Sequence, residues 1–354
     1  MEINLDYPVY IGDSYLNDLN IILEDYEDQY SRLYIIVDEN THEQCLPQLL
    51  HEVEMLEGAQ VIQVPVGEEA KSFDVAQHVW KTLTEDNADR KTLIVNLGGG
   101  VVTDLGGYVA ASYKRGVRFV QIPTSLLAQV DASVGSKVGI NFGGFKNQIG
   151  AFADPMMVLI CPMFLQTLDN RQLLSGFAEV LKHALIYDKD YWSYLKDQEE
   201  MDWQAIIERS VKIKSEVVLE DPKEQGLRKI LNFGHTIAHA FEAYAVEQGT
   251  HILHGEAVAF GMIAEAYLSK QYLNLDDQIL QEITESITSI YPLEDFKMLF
   301  DHKCLKYCAQ DKKNEDNKIL LSLLPELGTC TPNVEVEMQA LEQALNYLNA
   351  QISG

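Results

Sequence analysis

The sequence contains no apolar run long enough to cross a membrane. A transmembrane helix needs about 18 or more consecutive apolar residues, and no stretch of the 354 residues approaches that length. The start, MEINLDYPVY, also lacks a basic segment followed by an apolar one, so we expect no signal peptide. Core-forming residues are nevertheless plentiful, because 47% of the chain is hydrophobic and 9% is aromatic.

Basic residues are scarce. The chain has 27 lysines and arginines against 54 aspartates and glutamates, which gives a net charge of −27. Nucleic acids and anionic membranes attract basic surfaces, so we expect neither as a partner. The few basic side chains are informative for the same reason, because several of them at one place would indicate an anionic ligand.

Cysteines are few, odd in number and scattered. The five are Cys45, Cys161, Cys304, Cys308 and Cys330. Cys304 and Cys308 are four residues apart in CLKYC, but no second cysteine pair accompanies them to complete a zinc site. This usage is typical of the reducing cytoplasm, where we expect the protein to be.

Residues 1–165 alternate between short β-branched segments and amphipathic ones such as FDVAQHVWKTLTED. The segments that indicate buried strands are RLYIIVD, AQVIQVPVG, KTLIVNLGGG, VRFVQIPTS and MMVLICP. Near-continuous apolar strands separated by helices predict a mostly parallel sheet covered on both faces. We therefore predict an α/β domain with a Rossmann-like sheet over residues 1–165.

After Pro162 the strand signals nearly vanish and helical periodicity dominates. The helical segments are RQLLSGFAEVLKHALIY, WQAIIERSVKIKSEVVLE, RKILNFGHTIAHAFEAY, GEAVAFGMIAEAYLSKQYL and MQALEQALNYLNAQI. One exception, KILLSLLPELG, indicates a strand or hairpin. Residues 166–354 are predicted to form an all-α domain.

A glycine-rich turn, VNLGGGVVTDLGG at residues 95–107, follows a predicted strand and opens a helix. Glycines here let the backbone approach a phosphate closely, and the helix N-terminus adds partial positive charge. The segment departs from the dinucleotide pattern G-x-G-x-x-G, because its sixth position is Thr103. Asp38, at the end of an earlier strand, could hold a ribose hydroxyl. From the residues alone, a nucleotide site and a simple tight turn both remain open.

Two histidines, His235 and His239, are four residues apart in LNFGHTIAHAFE. That spacing puts both on one helix face, where they could bind one metal or pack in the core. The zincin pattern does not decide the matter, because Thr236 stands where that pattern has a glutamate.

Several motifs together resemble the 3-dehydroquinate synthase family of sugar phosphate cyclases over essentially the whole chain. They are GGGVVTDLGGYVA, RGVRFVQIPTSLLAQVDASVGSKVGIN, KNQIGAF, SGFAEVLKHALI, LNFGHTIAHAFE, HGEAVAFGM and DKKN. The resemblance implies an NAD-binding N-terminal domain, a metal-binding helical C-terminal domain and a homodimer. It also implies the reaction: 3-deoxy-D-arabino-heptulosonate 7-phosphate becomes 3-dehydroquinate and phosphate, with NAD reduced and reoxidised during the cycle.

The resemblance implies a metal held by Glu179, His235 and His254, normally Zn²⁺ with Co²⁺ as a possible substitute. Two imidazoles and a carboxylate leave coordination positions open, as a catalytic zinc requires, and the same set suits Fe(II). His239 would then face the substrate rather than the metal. His251, outside the motif, is expected at the surface.

Basic and polar residues would surround a substrate that carries a carboxylate and a phosphate. Lys137, His239, Glu224 and Lys182 are the implied catalytic residues, and Arg115 would reach across from the neighbouring subunit. The implied substrate-binding residues are Arg115, Lys137, Asn147, Lys182, Lys214, Arg228, Asn232, His239 and Lys312. The implied NAD-binding residues are Asp38, Asn40, Glu68, Lys71, Gly99, Gly100, Asp104, Thr124, Ser125, Asp131, Lys137, Lys146 and Thr167.

Three other functions stay open. A 2-deoxy-scyllo-inosose or valiolone-type synthase acts on a substrate without a carboxylate, so Arg228 with Asn232 favours dehydroquinate synthase. A glycerol-dehydrogenase-like enzyme would produce NADH, and a noncatalytic descendant would turn nothing over. Three positions depart from the family pattern: Ser125 and Val138 replace threonine, and Ser136 replaces glycine.

Overall fold

The structure is a computed structural model with two compact units. The first comprises Met1–Leu173 with Asp202–Ser215, and the second comprises Leu174–Met201 with Glu216–Gly354. The residues that the structure describes are 1–25, 30–143, 145–198, 200–310 and 319–352. This division describes how the chain packs and not what each unit binds. The NAD-binding role of residues 1–165 and the metal-binding role of residues 166–354 therefore stay predictions.

A seven-stranded sheet forms the centre of the first unit, in the order β1-β2-β9-β6-β5-β3-β4. Every neighbouring pair is parallel except β1 and β2. The strands are β1 (Glu2–Asn4), β2 (Pro8–Ile11), β3 (Leu33–Asp38), β4 (Gln60–Val64), β5 (Leu93–Gly98), β6 (Arg118–Pro123) and β9 (Met157–Ile160). All five strands predicted from apolar segments are present.

Helices cover both faces of this sheet, because alternate strand residues point to opposite sides. In β3, Ile35 and Val37 belong to one core with Leu19, whereas Ile36 belongs to another core with Val102. The helices are α1 (Tyr15–Asp25), α2 (Glu39–Gln44), α3 (Leu46–Glu52), α4 (Phe73–Glu85) and α5 (Gly100–Ser112). The predicted α/β arrangement is confirmed.

An antiparallel hairpin, β7 (Lys137–Phe142) with β8 (Phe145–Phe152), was not predicted. The β8 sequence FKNQIGAF shows no alternation of apolar and polar residues, and most of it is exposed. Gly139 and Gly150 pair across the two strands, and a Cβ on Gly139 would lie 2.8 Å from the Ile149 carbonyl oxygen. The two strands therefore pair through close contact of their backbones at these glycines, and not through a stripe of apolar side chains.

The second unit is mainly helical, as predicted, and contains one additional hairpin. The helices after residue 166 are α6 (Asn170–Tyr187), α7 (Lys189–Asp197), α8 (Trp203–Glu220), α9 (His235–Glu247), α10 (His254–Leu273), α11 (Asp277–Ile290) and α12 (Met338–Ile352). Of these, α8 lies mostly in the first unit, which includes it as far as Ser215, and the first residues of α6 also belong to the first unit. The hairpin, β10 (Ile319–Glu326) with β11 (Thr329–Val336), begins in the segment KILLSLLPELG that indicated it.

Helix α10 is the central helix of this unit, buried along almost its whole length. Glycines bring its backbone against two other helices. A Cβ on Gly255 would lie 1.8 Å from the carbonyl oxygen of Ser175 in α6. A Cβ on Gly261 would lie 1.9 Å from the carbonyl oxygen of Gly234, which directly precedes α9. Only glycine fits at these two crossings.

None of the helices described here is both long enough and apolar enough to span a membrane.

Gly261→Ala should destabilise the protein by at least about 2 kcal/mol, because the added methyl group collides with backbone that cannot rotate away. Denaturant unfolding measures the change. Gly100→Ala is a matched control, since its Cβ would lie 3.4 Å from the Ala132 Cβ and 3.9 Å from the Leu127 Cδ2, which are ordinary contact distances. Equal stability of Gly261→Ala and the wild type would contradict this account of the helix crossing.

Candidate functional site

Three helices of the second unit each supply one residue to a cluster of metal-ligand type. Glu179 lies within α6, whereas His235 and His254 are the first residues of α9 and α10. Their ligand atoms all lie within 4.8 Å of one another. The structure thus brings together the three residues for which the resemblance implied metal binding.

The two imidazoles present the same nitrogen to one carboxylate oxygen. Nε2 of His235 lies 3.5 Å from Oε1 of Glu179, and Nε2 of His254 lies 3.4 Å from it. The other ring nitrogens donate elsewhere: Nδ1–H of His235 to the Phe233 carbonyl oxygen and Nδ1–H of His254 to Glu242 Oε1, both at 3.2 Å. Both acceptors require a proton on Nδ1, so Nε2 carries the lone pair in the neutral form of each ring, which is the form that binds a metal.

This arrangement fits a divalent cation. Two lone pairs and a carboxylate facing one another repel unless positive charge lies between them. Burial and the nearby Lys182 lower the pKa of His235 well below its usual value. Burial also opposes protonation of His254, but the Glu242 and Glu179 carboxylates outweigh it and raise the pKa of His254 to about 9. The donor set suits Zn²⁺ or Co²⁺ with coordination positions left open.

His239, one turn after His235, lies beside this cluster rather than in it. Its ring centre is 5.7 Å from that of His235 and 6.4 Å from that of His254. Of the two histidines in this motif, His235 therefore lies in the cluster and His239 lies beside it, and the substrate-facing role that the resemblance implied for His239 stays a prediction.

Helix α9 begins later than the periodicity predicted. Residues Leu227–Asn232 form a short 3₁₀ helix instead, and Gly234, with φ of 81°, separates it from α9. That break makes His235 the first residue of its helix.

All lysines and arginines that are buried in the described part of the chain are implied site residues. They are Lys71, Lys182, Lys214 and Arg228, each at most 5% exposed. Buried basic side chains are rare unless they are paired or bind an anion. Lys182 forms an ion pair with Glu179 Oε2, which puts a cation beside the candidate metal ligands.

The segment before α9 is organised by a carboxylate that the sequence analysis did not identify. Asp221 accepts hydrogen bonds from the backbone N–H groups of Gln225, Gly226 and Arg228, at 2.9, 2.6 and 3.1 Å. Burial alone would raise the pKa of Asp221, but these N–H groups lower it. The turn holds Glu224 at a φ of 58°.

Glu224 and Asn232, both implied site residues, contact each other within this segment. The Asn232 amide donates to Glu224 Oε1 at 2.7 Å. Arg228, in the same segment, is buried, and its Nη1–H donates to the Pro222 carbonyl oxygen at 2.7 Å. A guanidinium group carries five N–H donors in one plane, the geometry that suits a carboxylate.

In the first unit, the implied NAD-binding residues follow the carboxyl ends of parallel strands. Asp38 ends β3, and Gly99 and Gly100 follow β5. In the sheet, β4 lies on one side of β3, whereas β6 lies on the opposite side of β5. The strand order therefore reverses between β3 and β5, and a topological switch point lies there. Open α/β sheets bind nucleotides at such points. The further residues after strand ends are Glu68 and Lys71 (β4), Asp104 (β5), Thr124, Ser125 and Asp131 (β6) and Thr167 (β9).

Contacts join several of these residues. Lys71 Nζ lies 2.7 Å from Asp104 Oδ2 and 2.5 Å from Asn147 Oδ1, so the glycine-turn helix and β8 meet at one amine. A Cβ on Gly99 would lie 3.2 Å from Ser125 Oγ. The glycine turn therefore packs against the segment after β6.

Lys214 and Asp131 form a second buried contact. Lys214 Nζ lies 2.5 Å from Asp131 Oδ1 and also donates to the Asp131 carbonyl oxygen. Asp131 lies in a π-helical turn, Ala128–Ala132, a rare conformation that recurs at functional sites.

Several implied residues lie at the surface or outside the described residues. Exposed positions are Asn40, Glu68, Arg115, Lys137, Lys146, Asn147 and Thr167. Lys312 lies outside the described residues. Ser136, which replaces a glycine of the family pattern, has a φ of 62°, and its hydroxyl donates to Asp154 Oδ1 at 2.5 Å. That hydrogen bond stabilises a conformation that serine rarely adopts.

Sequence reasoning also missed Glu242, the partner of His254. It lies seven residues after His235, on the same face of α9. That spacing was a usable signal, but a glutamate on a helix is far more often at the surface.

We expect the wild type to bind one Zn²⁺ or Co²⁺ per chain, and His254→Ala and Glu179→Gln to weaken binding by more than about a hundredfold, because each removes a ligand. Competition with a chromogenic chelator measures the affinity. His251→Ala is the matched control: His251 is exposed, three residues before His254, and its loss should leave the affinity unchanged. Equal affinities for all four proteins would exclude this cluster as a metal site.

Two family models match consecutive parts of the chain: the 3-dehydroquinate synthase N-terminal model over residues 61–175 and the C-terminal model over residues 176–314. A 3-dehydroquinate synthase of Parabacteroides distasonis is 39% identical over 337 residues, which cover 93% of this chain and 95% of that protein.

Solved structures of sugar phosphate cyclases share the fold. ValA, the 2-epi-5-epi-valiolone synthase from Streptomyces hygroscopicus with NAD⁺ and Zn²⁺ bound, superposes with a TM-score of 0.83 at 26% identity, covering 99% of this chain and 98% of that one. A 2-deoxy-scyllo-inosose synthase complexed with carbaglucose-6-phosphate, NAD⁺ and Co²⁺ gives 0.81 at 23% identity and covers 96% of both chains, a likeness of fold alone. The two matching models and the relative in Parabacteroides distasonis together place the chain in the 3-dehydroquinate synthase family.

Proposed function

We propose that the protein is a 3-dehydroquinate synthase, which converts 3-deoxy-D-arabino-heptulosonate 7-phosphate to 3-dehydroquinate and phosphate in the shikimate pathway. It uses a divalent metal, with zinc as our choice, and NAD in a catalytic cycle without net oxidation. The observation that carries the proposal is the convergence of Glu179, His235 and His254 in a chain of this family.

Each cofactor would supply one kind of chemistry. A divalent metal held by Glu179, His235 and His254 would acidify a substrate hydroxyl group, and NAD held at the carboxyl ends of β3, β5 and β6 would accept a hydride and return it. The protein's own residues bind and orient the substrate and stabilise charge as it shifts.

In the second unit, we assign Lys182 and His239 to contacts with the substrate groups that lie nearest the metal. Lys182 is buried in an ion pair with Glu179, so its amine lies beside the ligands, where it would contact the substrate oxygens. His239 adjoins both histidine ligands and would contact the substrate phosphate. Lys137 is exposed at the start of β7 and would contact the substrate's charged groups. Glu224 holds Asn232 for substrate binding.

The substrate carboxylate separates this function from the related cyclases. Arg228 offers the planar pair of donors that a carboxylate accepts, and Asn232 lies in the same segment. Valiolone-type and scyllo-inosose synthases act on substrates without that carboxylate, so a buried arginine in this position favours dehydroquinate synthase.

We further propose a homodimer in which Arg115 contacts the substrate of the neighbouring subunit. Arg115 is exposed and follows Lys114 in a turn where both residues have positive φ values, 72° and 49°. A cytoplasmic location is proposed because all five cysteines are free thiols.

A turnover assay tests the proposed function directly. Zinc-loaded protein with NAD should release phosphate and form dehydroquinate in equal amounts from 3-deoxy-D-arabino-heptulosonate 7-phosphate, without accumulating NADH. Absence of phosphate release would refute this substrate and lead to the other cyclase substrates. NADH accumulating with a simple polyol would instead identify a dehydrogenase.

Arg228→Lys should reduce kcat/KM by about 10- to 100-fold, because a single ammonium group replaces the two charge-assisted hydrogen bonds of the guanidinium group. Steady-state kinetics measure the change. Lys229→Met is the control, since the Lys229 amine contacts Asn333 on β11 at 3.1 Å rather than the segment of Asn232. An unchanged kcat/KM in Arg228→Lys would argue against a carboxylate at this arginine.

A further inference from the structure

We propose that two buried glutamates, Glu242 on α9 and Glu265 on α10, are positioning residues that each hold the histidine ligand at the start of the other helix. Together they set the affinity and the coordination geometry of the metal. This inference rests on the metal site of the proposed function and adds to it the part of the protein that holds the ligands in place.

Glu242 acts directly on His254. Its Oε1 accepts from Nδ1–H at 3.2 Å, on the far side of the ring from the nitrogen that faces Glu179. The Glu242 side chain is 8% exposed, so little water competes with His254 for this carboxylate. A carboxylate at Nδ1 fixes the tautomer and the ring orientation and raises the basicity of Nε2.

Glu265 acts on His235 through the backbone. Its Oε2 accepts from the N–H of Gly234 at 2.7 Å, and Gly234 is the residue before His235 and the N-cap of α9. Because a hydrogen bond to this N–H fixes the left-handed turn at Gly234, it also fixes the direction in which α9 and its first side chain leave the turn.

The helix start explains how a carboxylate is tolerated there at 0% exposure. The first N–H groups of a helix lack partners within the helix and carry partial positive charge. Glu265 lies against that end of α9, so the backbone replaces much of the solvation that the carboxylate loses on burial.

The two contacts are reciprocal because both helices use one face for each other. On α10, Gly261 and Glu265 follow His254 by seven and eleven residues, and on α9, Glu242 follows His235 by seven, so each set shares a face. Gly261 would touch the Gly234 carbonyl oxygen if it carried a Cβ. The close crossing therefore brings each glutamate to the beginning of the opposite helix.

The test compares Glu242→Gln, Glu242→Ala, Glu265→Gln and Glu265→Ala with the wild type. Metal dissociation constants are measured by chelator competition, and the visible absorption of the Co²⁺-loaded proteins reports the coordination geometry. We expect Glu242→Ala and Glu265→Ala to weaken binding by about 10- to 100-fold with altered Co²⁺ spectra. The glutamine variants keep an acceptor but lose the charge, and should weaken binding by roughly threefold to tenfold.

Glu282→Ala is the matched control for loss of a hydrogen-bonded carboxylate in the same unit. Glu282 accepts from Trp192 Nε1 at 2.6 Å and from Lys196 at 2.5 Å, and it lies on α11, which carries no ligand. Its loss should lower the unfolding temperature and leave the metal dissociation constant within about twofold. If either alanine variant does not fold, its glutamine counterpart tests the same residue.

Each outcome decides one question. A variant of Glu242 or Glu265 that binds metal as tightly as the wild type, with the same Co²⁺ spectrum, overturns the positioning role of that glutamate even if the protein is less stable. A wild type that binds no divalent metal refutes the metal site of the proposed function instead. The measurement on the wild type therefore comes first.

Discussion

The close crossings of α10 with two other helices are the constraint on which the candidate metal site depends. Gly255 and Gly261 let the α10 backbone touch the backbone around Ser175 and Gly234, where any side chain would collide. Because α6, α9 and α10 each carry one candidate ligand, these crossings set the distances between Glu179, His235 and His254. The carboxylate contacts of Glu242 and Glu265 then orient two side chains within a frame that the glycines have already fixed.

A different constraint builds the proposed nucleotide site of the first unit. In a parallel sheet the carboxyl ends of the strands share one edge, so residues far apart in the chain meet there without any special sequence between them. The glycine turn after β5 differs from the ordinary dinucleotide pattern, yet it occupies the position at the switch point where that pattern would lie. The position of the turn in the topology therefore carries more information than its spacing of glycines.

The buried basic residues explain how a protein with a net charge of −27 can serve an anionic substrate. Lys71, Lys182 and Lys214 are each buried against a carboxylate, from Asp104, Glu179 and Asp131 respectively. Each carboxylate compensates a lysine that is removed from water, and the low local dielectric strengthens the interactions of these charges with nearby groups. Among the described residues, four buried glutamates accompany the four buried lysines and arginines, so the excess of acidic residues lies outside the buried core.

The sequence by itself determined the alternation of strands and helices, the helical second half and, through motif resemblance, the three candidate ligands and the family. Apolar periodicity encodes the strands and helices directly, whereas the ligands and the family followed from the motif resemblance alone. Only the tertiary structure decided that His239 adjoins the cluster, that α9 begins at His235 and that β7 and β8 form a hairpin. It also decided that Glu242 and Glu265 are buried, each against the start of the opposite helix. These features depend on contacts between separate elements and on glycine backbone geometry, which no local pattern of residues specifies.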